Sequence, residues 1–184
     1  MSIETAEARV DPRVRRTRRD VRRVAGELLR AEGLDAVTHS RVAAEAGYSR
    51  ATMYTHWPRP IDLLSEAFRH FGSTPHHERT GDLRADLIGE LTVLRSVLVD
   101  EGLGRVLSTV AERAVSNPEL AGLRDLMVAE GTRILDAALI DHMAPDRART
   151  ATTLAIGSIF YLATMTDDPI SDQTIAGLVD QITA

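Results

Sequence analysis

Residues 33–64 carry two short apolar helical patterns separated by a glycine, and no other feature constrains the fold of this chain as strongly. In the first pattern, from about Thr38 to Ala46, Thr38 can cap the free backbone N–H groups and an apolar stripe follows. Gly47 ends the pattern, because glycine adopts a positive φ at low cost just after a helix. This spacing predicts a helix-turn-helix.

The second helix of the pair is predicted from Arg50 to about Trp57, with Ser49 as its cap. Met53 and Trp57 lie four residues apart, so both are expected to face inward. The side chains left for outward roles are rich in hydrogen-bond donors, and they are Arg50, Thr52, Tyr54, Thr55 and His56. Such side chains suit the phosphates and base edges of a DNA groove.

The segment from about residue 14 to residue 70 resembles, without a gap, the DNA-binding domain of TetR/AcrR-type transcriptional regulators. That family has an apolar first helix ending in glycine, an apolar-Ala pair, an Ala-Gly-x-Ser turn, then Thr-x-Tyr, His, an aromatic residue, Pro and Leu-Leu. The matching residues here are Val21, Ala25, Leu28, Leu29, Gly33, Val42, Ala43, Ala46, Gly47, Ser49, Thr52, Tyr54, His56, Trp57, Pro58, Leu63 and Leu64. Their combined spacing is far more specific than a short motif.

Three positions depart from the family pattern. His39 replaces a commonly apolar residue, Tyr48 replaces a small aliphatic residue, and Pro60 stands where the family usually has a lysine that reaches phosphate. Arg59, beside Pro60, offers a similar charge.

The resemblance and the pattern together predict a DNA-binding set. Its members are Thr38, His39, Arg41, Ser49, Arg50, Ala51, Thr52, Tyr54, Thr55, His56 and Arg59. We expect Arg50 and Thr55 to reach base edges, because a helix in the major groove presents its N-terminal turn to the bases. Thr52, Tyr54 and His56 are expected to hold phosphates.

The charge distribution agrees with this prediction although the net charge is −5. Residues 1–59 hold 12 arginines and 8 acidic residues, whereas residues 60–184 hold 10 arginines and 19 acidic residues. Seven arginines crowd the start of the first helix, where they are expected to meet phosphates: Arg13, Arg15, Arg16, Arg18, Arg19, Arg22 and Arg23. The alternative is a basic face that is merely solvated.

Composition excludes several other classes of protein. The chain has no cysteine, so disulfides, thiolate metal sites and cysteine nucleophiles are excluded. No run of about 18 apolar residues and no secretory leader is present, which predicts a cytoplasmic protein without a membrane span. No catalytic elbow, HExxH pair or phosphate loop occurs, so neither an enzyme nor a cofactor is expected.

Glycine and proline residues at the ends of the helical patterns predict four segments and an all-α fold. Residues 1–12 are expected to be a flexible arm, residues 13–71 a helix-turn-helix domain with its connecting helix, residues 72–81 a hinge, and residues 82–184 a helical bundle. Helices of the bundle are predicted near 82–100, 102–115, 118–143, 145–166 and 171–183, with Asn117 and Ser171 as caps.

The last two predicted helices are apolar on more than one face. The resemblance implies a homodimer formed through these helices, with small residues allowing close approach. The expected interface residues are Leu154, Ala155, Gly157, Ser158, Ile159, Tyr161, Leu162, Ile175, Leu178 and Val179. The alternative is that both faces form the core of a monomer.

An effector pocket is implied only by the resemblance. It would lie between the helices near 82–100, 118–143 and 145–166, and Leu91, Leu94, Leu98, Met127 and Phe160 are its candidate lining. At helical spacing, such residues are more often plain core. No metal site is predicted, although His70, His76, His77 and Glu78 cluster near the hinge.

The sequence therefore predicts a DNA-binding transcriptional regulator that acts as a homodimer on an inverted-repeat operator. The resemblance favours a repressor released by a small-molecule ligand. An alternative stays open, in which the second domain serves only dimerisation or a protein partner, and a solid bundle would favour it.

Overall fold

The computed structural model of the protein describes residues 11–71 and 74–184. Every regular element in these two ranges is a helix, and neither range contains a strand. The chain divides into two compact units, residues 1–73 and 74–184. The prediction of an all-α protein is confirmed.

The described part of the first unit contains four α-helices and one 3₁₀ turn. Helix α1 is Pro12–Glu32, the 3₁₀ turn is Leu34–Ala36, α2 is His39–Ala46, α3 is Arg50–His56 and α4 is Pro60–Phe71.

Helix α1 begins inside the predicted arm. The Asp11 carboxylate accepts the backbone N–H of Arg13 at 2.8 Å, and Pro12 occupies the first turn, where its missing N–H costs nothing. Residues 11 and 12 therefore belong to the helix and its cap. The rest of the predicted arm, residues 1–10, lies outside the described residues.

The core of the first unit joins all four helices. Helices α1 and α4 approach so closely at Gly26 that a Cβ atom there would lie 2.4 Å from the Cβ atom of His70. Only glycine leaves room for this contact. The residues buried around it are Val21, Val24, Ala25, Leu28, Leu29, Leu34, Val37, Val42, Ala43, Met53, Trp57, Leu63, Ala67, Phe68 and Phe71.

The second unit contains five helices: α5 is Leu83–Val99, α6 is Leu103–Ala114, α7 is Pro118–Ile140, α8 is Pro145–Met165 and α9 is Asp172–Thr183. Asn117 caps α7 and Ser171 caps α9, as predicted, because both side chains accept backbone N–H groups of the first turn.

The core of the second unit is drawn mainly from α5, α7, α8 and α9. Its buried members are Leu87, Leu91, Leu98, Leu135, Ala138, Leu139, Ala148, Ala151, Ala155, Ile159, Ile170, Ile175, Val179 and Ile182. Ion pairs on the surface join α5 to the C-terminal region. The Arg84 guanidinium contacts both oxygens of Asp180, and Arg95 contacts Asp172 and the carbonyl of Ile170.

The segment between the predicted domains is attached to α5 over residues 76–81. The buried Asp86 carboxylate accepts the backbone N–H and the hydroxyl of Thr80, both at 2.7 Å, and the N–H of Gly81 at 3.2 Å. Glu90 accepts the backbone N–H of His77 at 2.9 Å and lies 3.1 Å from Nδ1 of His76. The hinge at residues 72–81 stays a prediction, and motion over residues 76–81 requires these bonds to break. Residues 72 and 73 lie outside the described residues.

We expect Asp86→Asn to lower the free energy of unfolding of the second unit near neutral pH. Hydrogen bonds from Thr80 first, and then from Gly81, hold the pKa of Asp86 below its ordinary value because they favour the ionised form. A depressed pKa stabilises the folded state above the unfolded value of about 3.9, and this stability disappears as the pH falls through the folded pKa. The difference between wild type and variant should therefore shrink as the pH falls below about 3.9.

Urea unfolding followed by circular dichroism measures this difference. Trp57, the single tryptophan, lies in the first unit and supplies an internal control, since its fluorescence transition should not move. An equal loss at neutral and acidic pH would contradict the expectation.

Candidate nucleic-acid interface

The turn between α2 and α3 is built as the spacing predicts. The Thr38 hydroxyl accepts the N–H of Arg41 at the start of α2, and Gly47 ends this helix with φ 74° and ψ 29°. A residue with a Cβ atom is strained in that left-handed conformation. The Ser49 hydroxyl then accepts the N–H of Thr52 at 3.1 Å and starts α3.

The inner face of α3 fixes the orientation of the whole helix. Met53 and Trp57 are buried, as predicted, and Trp57 Nε1 donates to Glu66 Oε2 at 3.4 Å. Glu66 on α4 is 2% exposed, and its other oxygen accepts Arg22 Nε at 2.7 Å. This buried carboxylate connects α1, α4 and the end of α3. The sequence analysis missed it, although an acid inside the apolar stripe of α4 was a visible signal.

The outer face of α3 is available to a partner. Arg50, Ala51, Tyr54 and Thr55 are exposed there, while Thr52 and His56 are half-buried. Within residues 11–71 and 74–184, Arg50 forms no ion pair. A free guanidinium at the N-terminal end of a helix suits base edges or phosphates, since Arg donates two parallel hydrogen bonds.

His39 has a position that the sequence analysis did not predict. Its side chain is 7% exposed, Nε2 lies 2.6 Å from the carbonyl oxygen of Trp57, and the ring stacks on that of Tyr54. These contacts occupy the imidazole inside the unit, and the contact of His39 with DNA stays a prediction.

Two predicted cations are already paired with acids. The Arg41 guanidinium contacts Glu32 at 2.5 and 2.6 Å and Glu45 at 3.1 Å, and the Arg41 hydrogen bond lowers the pKa of Glu32. The Arg59 guanidinium contacts Asp62 at 2.6 and 3.1 Å and lowers the pKa of Asp62 in the same way. Their charges are therefore partly neutralised before any DNA is bound.

The basic start of α1 is connected to the turn before α3. Arg13, Arg15, Arg16, Arg18 and Arg19 are exposed. Asp20 lies 3.8 Å from the Nε atom of Arg16 and 3.7 Å from that of Arg19, and it accepts the Tyr48 hydroxyl at 3.0 Å. Tyr48 thus connects the turn before α3 to Asp20 of α1, the carboxylate that Arg16 and Arg19 also approach.

A second exposed surface lies on α8. Leu154, Tyr161 and Met165 are 53, 57 and 68% exposed, and they share one helical face with Ser158. A shallow depression of about 430 Å³ follows this face, lined by Thr153, Leu154, Gly157, Ser158, Tyr161 and Leu162.

Four residues predicted for the dimer interface belong to the core of the protomer instead. Ala155, Ile159, Ile175 and Val179 each have no exposed surface. They lie on the inner faces of α8, which packs against α5 and α7, and of α9, which packs against α5 and α8. Leu162 and Leu178 are half-buried against the same core. Leu154, Gly157, Ser158 and Tyr161 remain on the outside.

The predicted pocket residues lie mostly in the core. Leu91 and Leu98 are buried, and Leu94 and Phe160 pack against the core while half-buried. Met127 is half-buried on α7. A second depression lies on the outer face of α8, lined by Asp146, Arg149, Thr150, Thr153 and Leu154. Neither depression reaches the predicted pocket residues.

No group of three His, Cys, Asp or Glu side chains within the described ranges is placed to hold a metal ion. His70 packs against Gly26. Among the described residues, no helix has the length and apolarity that a membrane crossing requires.

Comparisons with known proteins agree with the helix-turn-helix formed by α2 and α3. The profile of bacterial regulatory proteins of the tetR family matches residues 22–67, which include α2 and α3. An uncharacterized HTH-type transcriptional regulator of Mycobacterium tuberculosis, Rv1556, is 27% identical, and the match covers 84% of this chain and 80% of that protein.

Two solved structures share the fold over both units. The TetR family transcription regulator SCO0332 has a TM-score of 0.74 and 27% identity over 91% of this chain and 96% of its own. The multidrug binding protein EbrR, complexed with proflavin, has a TM-score of 0.63 and 22% identity over 90% of this chain and 99% of its own.

The helix-turn-helix geometry, the matching profile and these relatives agree with one another. Residues 22–67 match the tetR family of bacterial regulatory proteins, and over most of its length the chain is similar to HTH-type and TetR family transcriptional regulators.

Proposed function

We propose that this regulator reads a specific duplex sequence through α3, with Arg50 and Thr55 at base edges and Thr52, Tyr54 and His56 at phosphates. The observation that carries this proposal is the division of α3 into a buried apolar face and an exposed face rich in donors. Met53 and Trp57 hold the helix so that the exposed face needs no rearrangement before it enters a groove.

The arginines at the start of α1 supply general attraction to the duplex. They are exposed, and Arg16 and Arg19 share only one carboxylate, that of Asp20. Each arginine that neutralises a phosphate releases counterions, so DNA affinity falls as salt rises. This electrostatic attraction is the same for every DNA sequence and brings the protein to DNA, whereas α3 selects the site.

We expect Arg50→Ala to weaken binding to the operator by about 1 to 3 kcal/mol and to relax base preference near its contact. The operator fragment is one that the wild-type protein selects from random duplexes, and affinity is measured by gel-shift titration. Arg133→Ala is the matched control, because it removes the same charge from the surface of α7. Equal affinity of wild type and Arg50→Ala would exclude Arg50 from the contact.

We further propose that the regulator acts as a homodimer that pairs the outer faces of α8. Support comes from Leu154, Tyr161 and Met165, large apolar side chains that are more than half exposed on one helix. Such a surface usually marks a partner. A two-fold dimer reads two half-sites, so the operator is expected to be an inverted repeat.

We expect Gly157→Glu to dissociate this dimer while the protomer stays folded. A Cβ atom at Gly157 meets nothing within 4 Å in the protomer, so the new side chain clashes only with a partner, and its charge opposes burial there. Gly131→Glu on α7 is the matched control, because its Cβ atom also meets nothing within 4 Å. Sedimentation equilibrium distinguishes the two variants, and a dimer that survives Gly157→Glu would contradict the proposed interface.

Release by a small-molecule ligand is the regulation that we propose for this repressor. EbrR has the same fold and is complexed with proflavin, which supports the proposal by analogy of fold. A ligand that favours the form with low DNA affinity shifts the population toward that form. In this chain, the half-buried residues Leu94, Met127 and Phe160 are the positions at which a ligand would enter the bundle.

The packing of the second unit favours the alternative hypothesis, in which the regulator binds no small-molecule effector. Leu91 and Leu98 are packed in the core, and both depressions lie on the outer face of α8. In that case the second unit serves dimerisation or a protein partner, and the regulator responds to no small molecule.

Thermal unfolding distinguishes release by a small-molecule ligand from regulation without an effector. The protein is unfolded in the presence of each member of a panel of planar cations that begins with proflavin. We expect a bound effector to raise the unfolding midpoint, because it stabilises the folded state by mass action. It should also lower operator affinity roughly 5- to 150-fold. The midpoint is measured without DNA, and Phe160→Ala should weaken the shift. If no member of a broad library shifts the midpoint, the alternative is favoured.

A further inference from the structure

His39 makes two different contacts with the C-terminal part of α3 and the residue that follows it. It is the first residue of α2 and is 7% exposed. Its ring lies almost parallel to that of Tyr54, with centroids 4.4 Å apart and an angle of 15° between the planes. Its Nε2 atom lies 2.6 Å from the carbonyl oxygen of Trp57.

The contact with Trp57 satisfies one of the carbonyl groups that a helix leaves without an internal partner at its C-terminal end. A carbonyl oxygen only accepts, so Nε2 carries the hydrogen. The Trp57 indole is held from the other side by Glu66. The end of α3 is therefore fixed by α2 through a backbone atom and by α4 through a side chain.

The contact with Tyr54 has a different consequence. Tyr54 is 54% exposed, and an exposed tyrosine on a helix surface loses rotamer freedom when it binds a partner. Stacking on a buried ring removes part of that freedom in advance, because the ring can no longer sample other rotamers at equal energy. Part of the conformational entropy of the Tyr54 side chain is therefore lost during folding and not during DNA binding.

We propose that His39 is a positioning residue for DNA binding, which holds the Tyr54 ring ready for the duplex through the flat face of its imidazole. The inference rests on the proposed contact between Tyr54 and phosphate. The hydrogen bond to Trp57 has a separate role and stabilises the fold of the first unit. A substitution of His39 that keeps an aromatic ring should still position Tyr54. A substitution that keeps a hydrogen-bond donor should still bind the carbonyl of Trp57.

Two variants of the full chain separate these roles. His39→Phe keeps a flat ring and loses the donor, so its unfolding midpoint falls while operator affinity stays within about 2-fold of wild type. His39→Gln keeps an N–H donor and loses the ring, so its operator affinity falls about 2- to 12-fold, the range expected for one aromatic pair. Affinities are corrected for the folded fraction, which Trp57 fluorescence reports.

A double-mutant cycle with Tyr54→Ala tests whether His39 acts through Tyr54. In the Tyr54→Ala background, His39→Gln should cause no further loss of affinity, since the ring that it positions is gone. Equal, additive losses in both backgrounds would overturn the inference. Binding by His39→Phe as weak as that of His39→Gln would also overturn it, because the ring alone would then not suffice.

The same measurements test the proposal on which this inference rests. If Tyr54→Ala binds the operator as tightly as wild type, the contact between Tyr54 and DNA is wrong, and positioning by His39 is overturned with it. If Tyr54→Ala weakens binding but His39→Gln does not, the Tyr54 contact stands and only the inference about His39 fails.

Discussion

The burial of Met53 and Trp57 is the interaction on which the DNA-binding unit depends. Helix α3 has seven residues, and a helix this short is not stable in water without tertiary contacts. Its two inward side chains insert into a core made by α1, α2 and α4, so the hydrophobic effect stabilises both the helix and its orientation. The exposed face of α3 is therefore set by the apolar face behind it.

The buried carboxylate of Glu66 adds directional hydrogen bonds to this apolar core. Glu66 is nearly inaccessible to solvent, and a carboxylate in such a place is tolerated only when donors surround it. Arg22, Trp57 and Arg69 contribute those donors from three different parts of the unit. Because hydrogen bonds are directional, this network fixes angles that apolar packing leaves loose.

Positive and negative charges are distributed unequally between the two units. The arginines of the first unit outnumber its acids, but Arg41 and Arg59 are partly neutralised by neighbouring carboxylates. The exposed arginines at the start of α1 and Arg50 are the cations with most charge left for DNA. The net charge of the chain hides this arrangement, because the second unit carries most of the acidic residues.

Local signals in the sequence determined the helices and their boundaries. Thr38, Ser49, Asn117 and Ser171 cap the helices that they were expected to cap, and Gly47 has the predicted left-handed conformation. These outcomes depend on bonds between residues two to four apart, so a single chain segment contains the information. The inward direction of Met53 and Trp57 also followed from spacing alone.

Only the tertiary structure decided which side chains contact each other across helices. His39 was predicted to contact DNA, yet it lies inside the first unit against Tyr54 and Trp57. Ile159 and Val179 were predicted in an interface between protomers, yet they form the core of the second unit. On a helix that is apolar on several faces, spacing identifies the faces but does not say which one meets the other helices of the unit. That choice depends on the packing of distant segments, which spacing along one helix does not encode.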